Sequence, residues 1–261
     1  MINYIYDGTF EGLLTVFSLM TERGEAVNRI SAEEGIQPDL FSETVRVETD
    51  AQRADEFFQT LRRKFSQPVI EDLGYCFLAE IQGMEKVMAD YVRLLLDKGE
   101  AISGNFTEPV VFKIRRTCTQ VSHEIGRLQG FIRFRKLKNQ VYYAPIAPDH
   151  NVVQLLAPHF KDRFADQKWL IHDTKRNSGI YYDLERCRFI PAVENAPRLE
   201  TQDAGAMGEE PGIFDPEELD YQEIWDQYFQ EIAIAERRNP KLQKQRMPVR
   251  YWRYLVETPG V

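Results

Sequence analysis

From Val111 to Leu128 the apolar residues Val111, Ile114, Cys118, Val121, Ile125 and Leu128 step by three or four, and just beyond them the pattern switches to alternation. The first spacing is one face of a helix, and the second is a strand with one covered face. Gly130 is expected to end the helix. Phe131, Ile132, Arg133, Phe134 and Arg135 then read as a strand that projects Arg133 and Arg135 from the same face. Val141 to Pro145 reads as its antiparallel mate, with Lys136, Lys138 and Asn139 near the turn of the hairpin. A chain that runs from a long helix straight into a hairpin points to the α+β class. No alternation of strands with long crossover helices supports a doubly wound fold.

The flanking segments extend that reading. Ile2 to Tyr6 is a short strand closed by Asp7-Gly8, and Thr9 caps a helix carrying Phe10, Leu13, Leu14, Phe17 and Met20. Residues 21–43 show no clean period and read as loop. Val45 and Val47 suggest a short strand, Ala54, Phe57, Phe58, Leu61 and Phe65 a helix, and Phe77 to Leu95 one further long helix locally bent at Gly83. After a helix over 152–164, the runs 169–173, 180–183 and 188–190 complete an antiparallel sheet of about four to six strands. Residues 191–218 read as a mobile acidic loop, and Tyr221, Ile224, Trp225, Tyr228, Phe229 and Ile232 as an aromatic-faced helix before a basic tail. The expectation is one domain over 1–261. It has a helix-rich part (1–109), a basic α+β part (110–190), the acidic loop (191–218) and a helical C-terminal segment with its tail (219–261).

With 43% apolar and 12% aromatic residues, 261 residues can bury a real core, which excludes disordered and fibrous classes. No apolar run approaches the ~20 residues of a membrane span, and the start of the chain lacks a signal-peptide pattern, so the sequence reads as cytoplasmic. The three cysteines are odd in number and far apart in sequence, and are expected as small buried or half-buried hydrophobes. The formal net charge of −8 hides an uneven distribution. Residues 1–109 hold 10 cations against 20 carboxylates and residues 110–190 hold 15 against 7; residues 191–236 hold 1 against 13 and residues 237–261 hold 7 against 1. Two basic blocks thus alternate with two acidic ones, and the average says little about any single face.

No Walker loop, dinucleotide-binding glycine fingerprint, nucleophile elbow or Cys-x-x-Cys pair occurs, and no cofactor or metal is assigned. Of four histidines, His159 and His172, with Asp173, are candidate acid/base groups for a hydrolase or lyase acting on a nucleic-acid base or sugar. Asp7 is a further candidate base, although a cap at a helix start explains a carboxylate there better. The basic blocks favour nucleic acid, because Arg and Lys neutralise phosphates while Trp and Tyr stack on unpaired bases. The candidates are Arg116, His123 and Arg127 along the long helix, then Arg133, Arg135, Arg163, Trp169 and Arg176. The tail adds Arg237, Arg238, Asn239, Gln243, Arg250, Tyr251 and Trp252. Against this, Trp225 is expected as a core anchor, and for the tail a DNA role and packing on the acidic segment stand side by side.

Several runs carry a likeness. Tyr6-Asp7-Gly8-Thr9-Phe10-Glu11-Gly12, Glu124-Ile125-Gly126-Arg127 and His159-Phe160 with Arg163-Phe164 are three of them. The others are Trp169-Leu170-Ile171-His172-Asp173 with Arg176, Glu236 to Pro240, and Met247-Pro248 with Arg250-Tyr251-Trp252. Together they resemble an uncharacterised bacterial family described as probable DNA metabolism proteins. That family is encoded beside a putative DNA-modification or repair radical S-adenosylmethionine (SAM) protein and is fused in some chains to a uracil-DNA-glycosylase-like domain. The resemblance implies, through gene context, a DNA-binding accessory protein that assists a partner radical SAM enzyme in DNA repair or modification. A non-catalytic protein-protein adaptor is the remaining alternative.

Overall fold

The computed structural model describes residues 2–24, 27–32, 43–194, 196, 213–232 and 239–255. It divides into two compact units, residues 1–122 and 123–261. Both mix helix and strand, as α+β requires, and a helical segment lies toward the C-terminus.

In the first unit β1 (Ile2–Tyr6) is the central strand of three, paired in parallel with β2 (Val27–Ala32) and β3 (Glu43–Arg46). Ile2, Asn3, Tyr4 and Tyr6 are all buried, which is the pattern of a strand covered on both faces. The strand β2 falls inside the segment expected as loop. Its register against β1 slips between Ile2 and Asn3, so that Ile2 faces Val27 while Asn3 faces Arg29. The extra residue, Asn28, shifts the phase of the strand and leaves Val27 and Ile30 buried three apart, where alternation would place them two apart.

Helix α1 (Phe10–Arg23) starts where Thr9 Oγ1 accepts the Gly12 N–H at 2.9 Å, and stops at Gly24, whose φ of 65° is left-handed. The helices α2 (Ala51–Lys64), α3 (Gln67–Leu78) and α4 (Met84–Lys98) follow. The single long helix expected from Phe77 to Leu95 is therefore two. Glu80 and Gly83, with φ of 50° and 77°, turn the backbone left-handed between them, and a helix cannot pass through such residues. Helix α5 (Pro109–Phe131) carries Val111, Ile114 and Cys118 into this unit's core. Cys76 and Cys118, distant in sequence, are free thiols with sulfurs 3.8 Å apart in that core; Cys187 is half-buried.

The second unit holds a five-stranded sheet, β4 (Arg135–Lys136), β5 (Tyr142–Ile146), β6 (Trp169–Asp173), β7 (Ser178–Tyr182) and β8 (Cys187–Ile190), in that spatial order. The expected antiparallel sheet is corrected at one place: β5 and β6 are parallel, and the sheet is mixed. The long link between them contains α6 (Ala157–Arg163) and returns the chain to the end from which it left, a crossover that a two-residue hairpin cannot make. The expected strand Phe131–Arg135 also shortens, because α5 continues through Phe131 and pairing begins only at Arg135.

Trp169, fully buried, centres the apolar core of this unit, with the rings of Tyr182, Phe134 and Phe160 at 5.4, 6.1 and 6.3 Å. The end of the expected acidic loop is ordered. Lys138 N–H donates to Ile213 O, Asp215 N–H to Lys136 O, and Lys136 N–H to the Glu218 carboxylate, which covers the free edge of β4. Helix α7 (Pro216–Ile232) starts from that pin; residues 195 and 197–212 lie outside the described residues. The last elements are α8 (Pro240–Arg246) and a 3₁₀ turn, Val249–Tyr254. No described helix is long and apolar enough to cross a membrane.

Candidate functional site

The polar groups of the second unit concentrate around one buried carboxylate. Glu124 sits three residues after Val121 and four before Leu128, on the apolar face of α5, and is 2% exposed. A charge there survives only if donors surround it. Its oxygens accept the backbone N–H groups of Asp149 and His150, both at 2.9 Å, the Tyr251 hydroxyl at 2.9 Å and Arg250 Nη2 at 3.1 Å. Arg250 reaches on with Nη1 to Asp149 Oδ2 at 2.5 Å. Burial beside this carboxylate pushes the Tyr251 phenol up to about 12, so it stays a donor.

A second buried carboxylate holds the same loop from the other side. Asp173, at the end of β6, accepts the N–H groups of Lys175 and Arg176 and pairs with Arg176 Nη1 at 2.8 Å. The Arg176 guanidinium then donates to the carbonyls of Pro148 and Asp149. The loop 148–150 is thereby clamped by its N–H groups on Glu124 and by its carbonyls on Arg176. On this framework the C-terminal segment docks. Tyr251, Trp252 and Leu255 are buried, Trp252 Nε1 donates to Met247 O, and Tyr254 Oη lies 3.2 Å from Thr174 Oγ1.

His172 and Asp173 are neighbours on one strand, so their side chains leave opposite faces of the sheet. His172 is buried between Tyr143 Oη, 2.7 Å from Nδ1, and Asn177 Oδ1, 3.1 Å from Nε2. A carboxamide oxygen only accepts, so Nε2 carries the ring proton and Nδ1 accepts the tyrosine hydroxyl. Burial holds the His172 pKa below the ordinary histidine value, against the opposing pull of Asn177 and Asp173. The unfolded chain then binds a proton more readily than the folded one. Stability should be unaffected by this group above about pH 6.5 and fall as the pH drops from there toward the folded-state pKa. Thermal melts between about pH 7 and about pH 5 should show that fall, and His172→Gln, which cannot titrate, should flatten it.

His159 lies on α6 with its ring edge-on to Phe160 at 4.9 Å; its buried Nε2 meets no hydrogen-bond partner, and no hydrogen bond joins it to His172 or Asp173. The three acid/base candidates thus have separate surroundings. Asp7, in the first unit, accepts from the Thr9 N–H, the Thr9 hydroxyl and the Thr49 hydroxyl at 2.9, 2.7 and 2.6 Å. These bonds, Thr49 first, hold its pKa below the usual carboxylate range. A Cβ at Gly12 would stand 2.3 Å from Asp7 Oδ1 and 2.8 Å from Thr49 Oγ1, so any larger residue there must push the Asp7 carboxylate out of this clamp.

The nucleic-acid candidates divide sharply. Trp169, Tyr251 and Trp252 are core residues and offer no face to a base. Arg176 and Arg250 are committed to internal pairs, and Arg135 is half-buried beside Glu218, its pKa lowered by burial. Arg133 donates to the carbonyls of Gly130 and Ile132 and lies 5.8 Å over the Trp225 ring. Arg116, His123 and Arg163 are exposed, Arg127 half-exposed. Asn239 caps α8 by accepting the Leu242 N–H at 3.0 Å, and Gln243 is half-buried within that helix. Arg237 and Arg238 lie outside the described residues. Trp225, expected in the core, is 40% exposed.

Glu124 as an anchor, Asp149, Tyr143 and Asn177 were not among the candidates. One signal did point to Glu124: a carboxylate on the apolar stripe of a helix. Among the described residues no group of three or more His, Cys, Asp or Glu side chains could hold a metal ion.

No curated protein matches the chain. A family model, described as a domain of unknown function, matches residues 82–257, about two-thirds of the chain, a span that includes Glu124, Asp149, Asp173, Arg176, Arg250 and Tyr251. With these residues inside the match, the chain belongs to the DUF4130 family.

Proposed function

We propose that this protein is a nucleic-acid-binding accessory in DNA repair or modification, working beside a radical SAM enzyme, and that it grips phosphates with its C-terminal segment. One observation carries the reading. Residues 239–255 contain no carboxylate, their apolar side chains Tyr251, Trp252 and Leu255 are docked, and Lys241, Lys244, Arg246 and Arg253 are left on the surface. A cationic segment held in place meets a phosphate backbone without first having to be ordered. The likeness of the motifs to proteins of DNA metabolism supports DNA as the polyanion and the radical SAM enzyme as the partner. Since Trp169, Tyr251 and Trp252 are buried, the contact of this segment is to phosphates and not to stacked bases, and duplex should bind at least as well as single strand of equal length.

Fluorescence anisotropy with a short labelled duplex tests this. Binding should weaken steeply with salt. Replacing Lys241, Lys244, Arg246 and Arg253 together by alanine should lower the slope of log affinity against log salt by about 3.6, or about 0.9 per lost phosphate contact. Absence of binding at low salt, a flat salt response or an unchanged slope in the variant would overturn the proposal.

A further inference from the structure

Helix α7 leaves part of one face exposed. Tyr221, Ile224 and Tyr228 are 63%, 61% and 53% exposed and fall at i, i+3 and i+7, one stripe of a helix, beside Trp225, which lies under Arg133. The charged side chains of the helix itself have a single sign; Arg133, over Trp225, is a cation from outside it. From Pro216 to Ile232 the helix has six carboxylates and no Lys or Arg, with Asp220 and Glu223 exposed beside the aromatic residues. Single exposed apolar side chains are ordinary, but three aromatics and an isoleucine in register on an acidic helix form a patch of the kind that marks an interface.

The complementary surface is on the same chain. The C-terminal segment 239–255 has cations and no carboxylate, and it too exposes apolar side chains, Leu242 on α8 and Val249 at the start of the 3₁₀ turn, among Lys241, Lys244 and Arg246. One surface is aromatic with an acidic rim and the other aliphatic with a basic rim. We propose that the acidic aromatic face of α7 in one copy seats on the basic C-terminal segment of a second copy, and reciprocally, giving a two-fold symmetric dimer. Because a two-fold interface uses every contact twice, one complementary pair of surfaces closes the assembly and leaves no open end. The inference stands independently of DNA binding. If both hold, DNA and the second copy compete for Lys241, Lys244 and Arg246, so binding DNA loosens the dimer by linkage.

Sedimentation equilibrium of the nuclease-treated full chain, from about 1 µM to about 200 µM, tests the inference without nucleic acid present. The expected result is twice the monomer mass at low salt, with dissociation at least about tenfold stronger near 0.5 M salt, where charges are screened within a few ångströms. Reversing one face, Asp220→Lys with Glu223→Lys or Lys241→Glu with Lys244→Glu, should give monomers, and combining both reversals should restore the dimer. Ile224→Ser with Tyr228→Ser reads the same face without a change of charge and should also give monomers. A monomer at every concentration, a dimer indifferent to salt and to these substitutions, or a combined reversal that remains monomeric would overturn the inference.

Discussion

Glu124→Ala should lower the thermal midpoint of the second unit by roughly 10 °C, the equivalent of about 3 kcal/mol. The substitution removes the acceptor for two backbone N–H groups, a buried tyrosine hydroxyl and one arginine nitrogen, and a methyl group replaces none of them. Each orphaned donor costs about 1–3 kcal/mol where water cannot enter. The sum is held down because Arg250 is 40% exposed on its side chain and regains water once it is released. The loss should be local in its first effect. Limited proteolysis should cut within 239–255 in the variant at temperatures where the wild type resists, since Tyr251 and Arg250 are the polar links between the C-terminal segment and α5.

Trp169→Ala should cost about 3–5 kcal/mol, as large aromatic truncations in filled cores do, and should impair DNA binding only to the extent that it unfolds the protein. Trp169→Phe should be mild by comparison. The indole Nε1 is buried without a hydrogen-bond partner, so phenylalanine forfeits volume and ring contact with Tyr182 but no polar bond. Denaturant melts of the two variants check both statements. A large loss in the phenylalanine variant would mean that the indole nitrogen has a role that the core geometry does not supply.

The elements most legible in the sequence were those whose burial has a clean period. The stripe from Val111 to Leu128 appears as α5, and the runs at 169–173, 180–183 and 188–190 appear as β6, β7 and β8 within a residue or two. Where the period failed, a specific physical cause broke it. Asn28 bulges and puts β2 out of phase; Glu80 and Gly83 take left-handed backbone and divide one apolar run into two helices. The parallel pairing of β5 with β6 was hidden because strand direction depends on which way a long link returns, and no residue within a strand encodes that.

The site was legible as residue types and not as roles. Interleaved cations and aromatics suggest phosphates and bases, yet the same mix builds a docked segment in which aromatics anchor and cations divide between internal pairs and the surface. Trp252 and Arg253 are neighbours in sequence, one buried and one exposed. Trp225 shows the reverse failure. It lies on an amphipathic helix, which normally buries its apolar stripe, but here that stripe is exposed and the helix is pinned by its first turn through Glu218. The runs that carry the family likeness prove informative about architecture. Glu124, Asp173, Arg176, Arg250 and Tyr251 are the parts of one polar framework that holds the loop 148–150 and the C-terminal segment together.

We propose that this framework holds the basic segment in a form ready to meet phosphates. The most direct measurement is the DNA affinity of Glu124→Gln at low salt, at a temperature where circular dichroism shows the variant folded. By net charge alone, losing a carboxylate strengthens binding to a polyanion. The anchored-segment account predicts the opposite sign, an affinity about tenfold weaker, because binding must then order a released segment at a cost of about 0.5–1.5 kcal/mol for each immobilised side chain. Affinity equal to or above that of the wild type would contradict it.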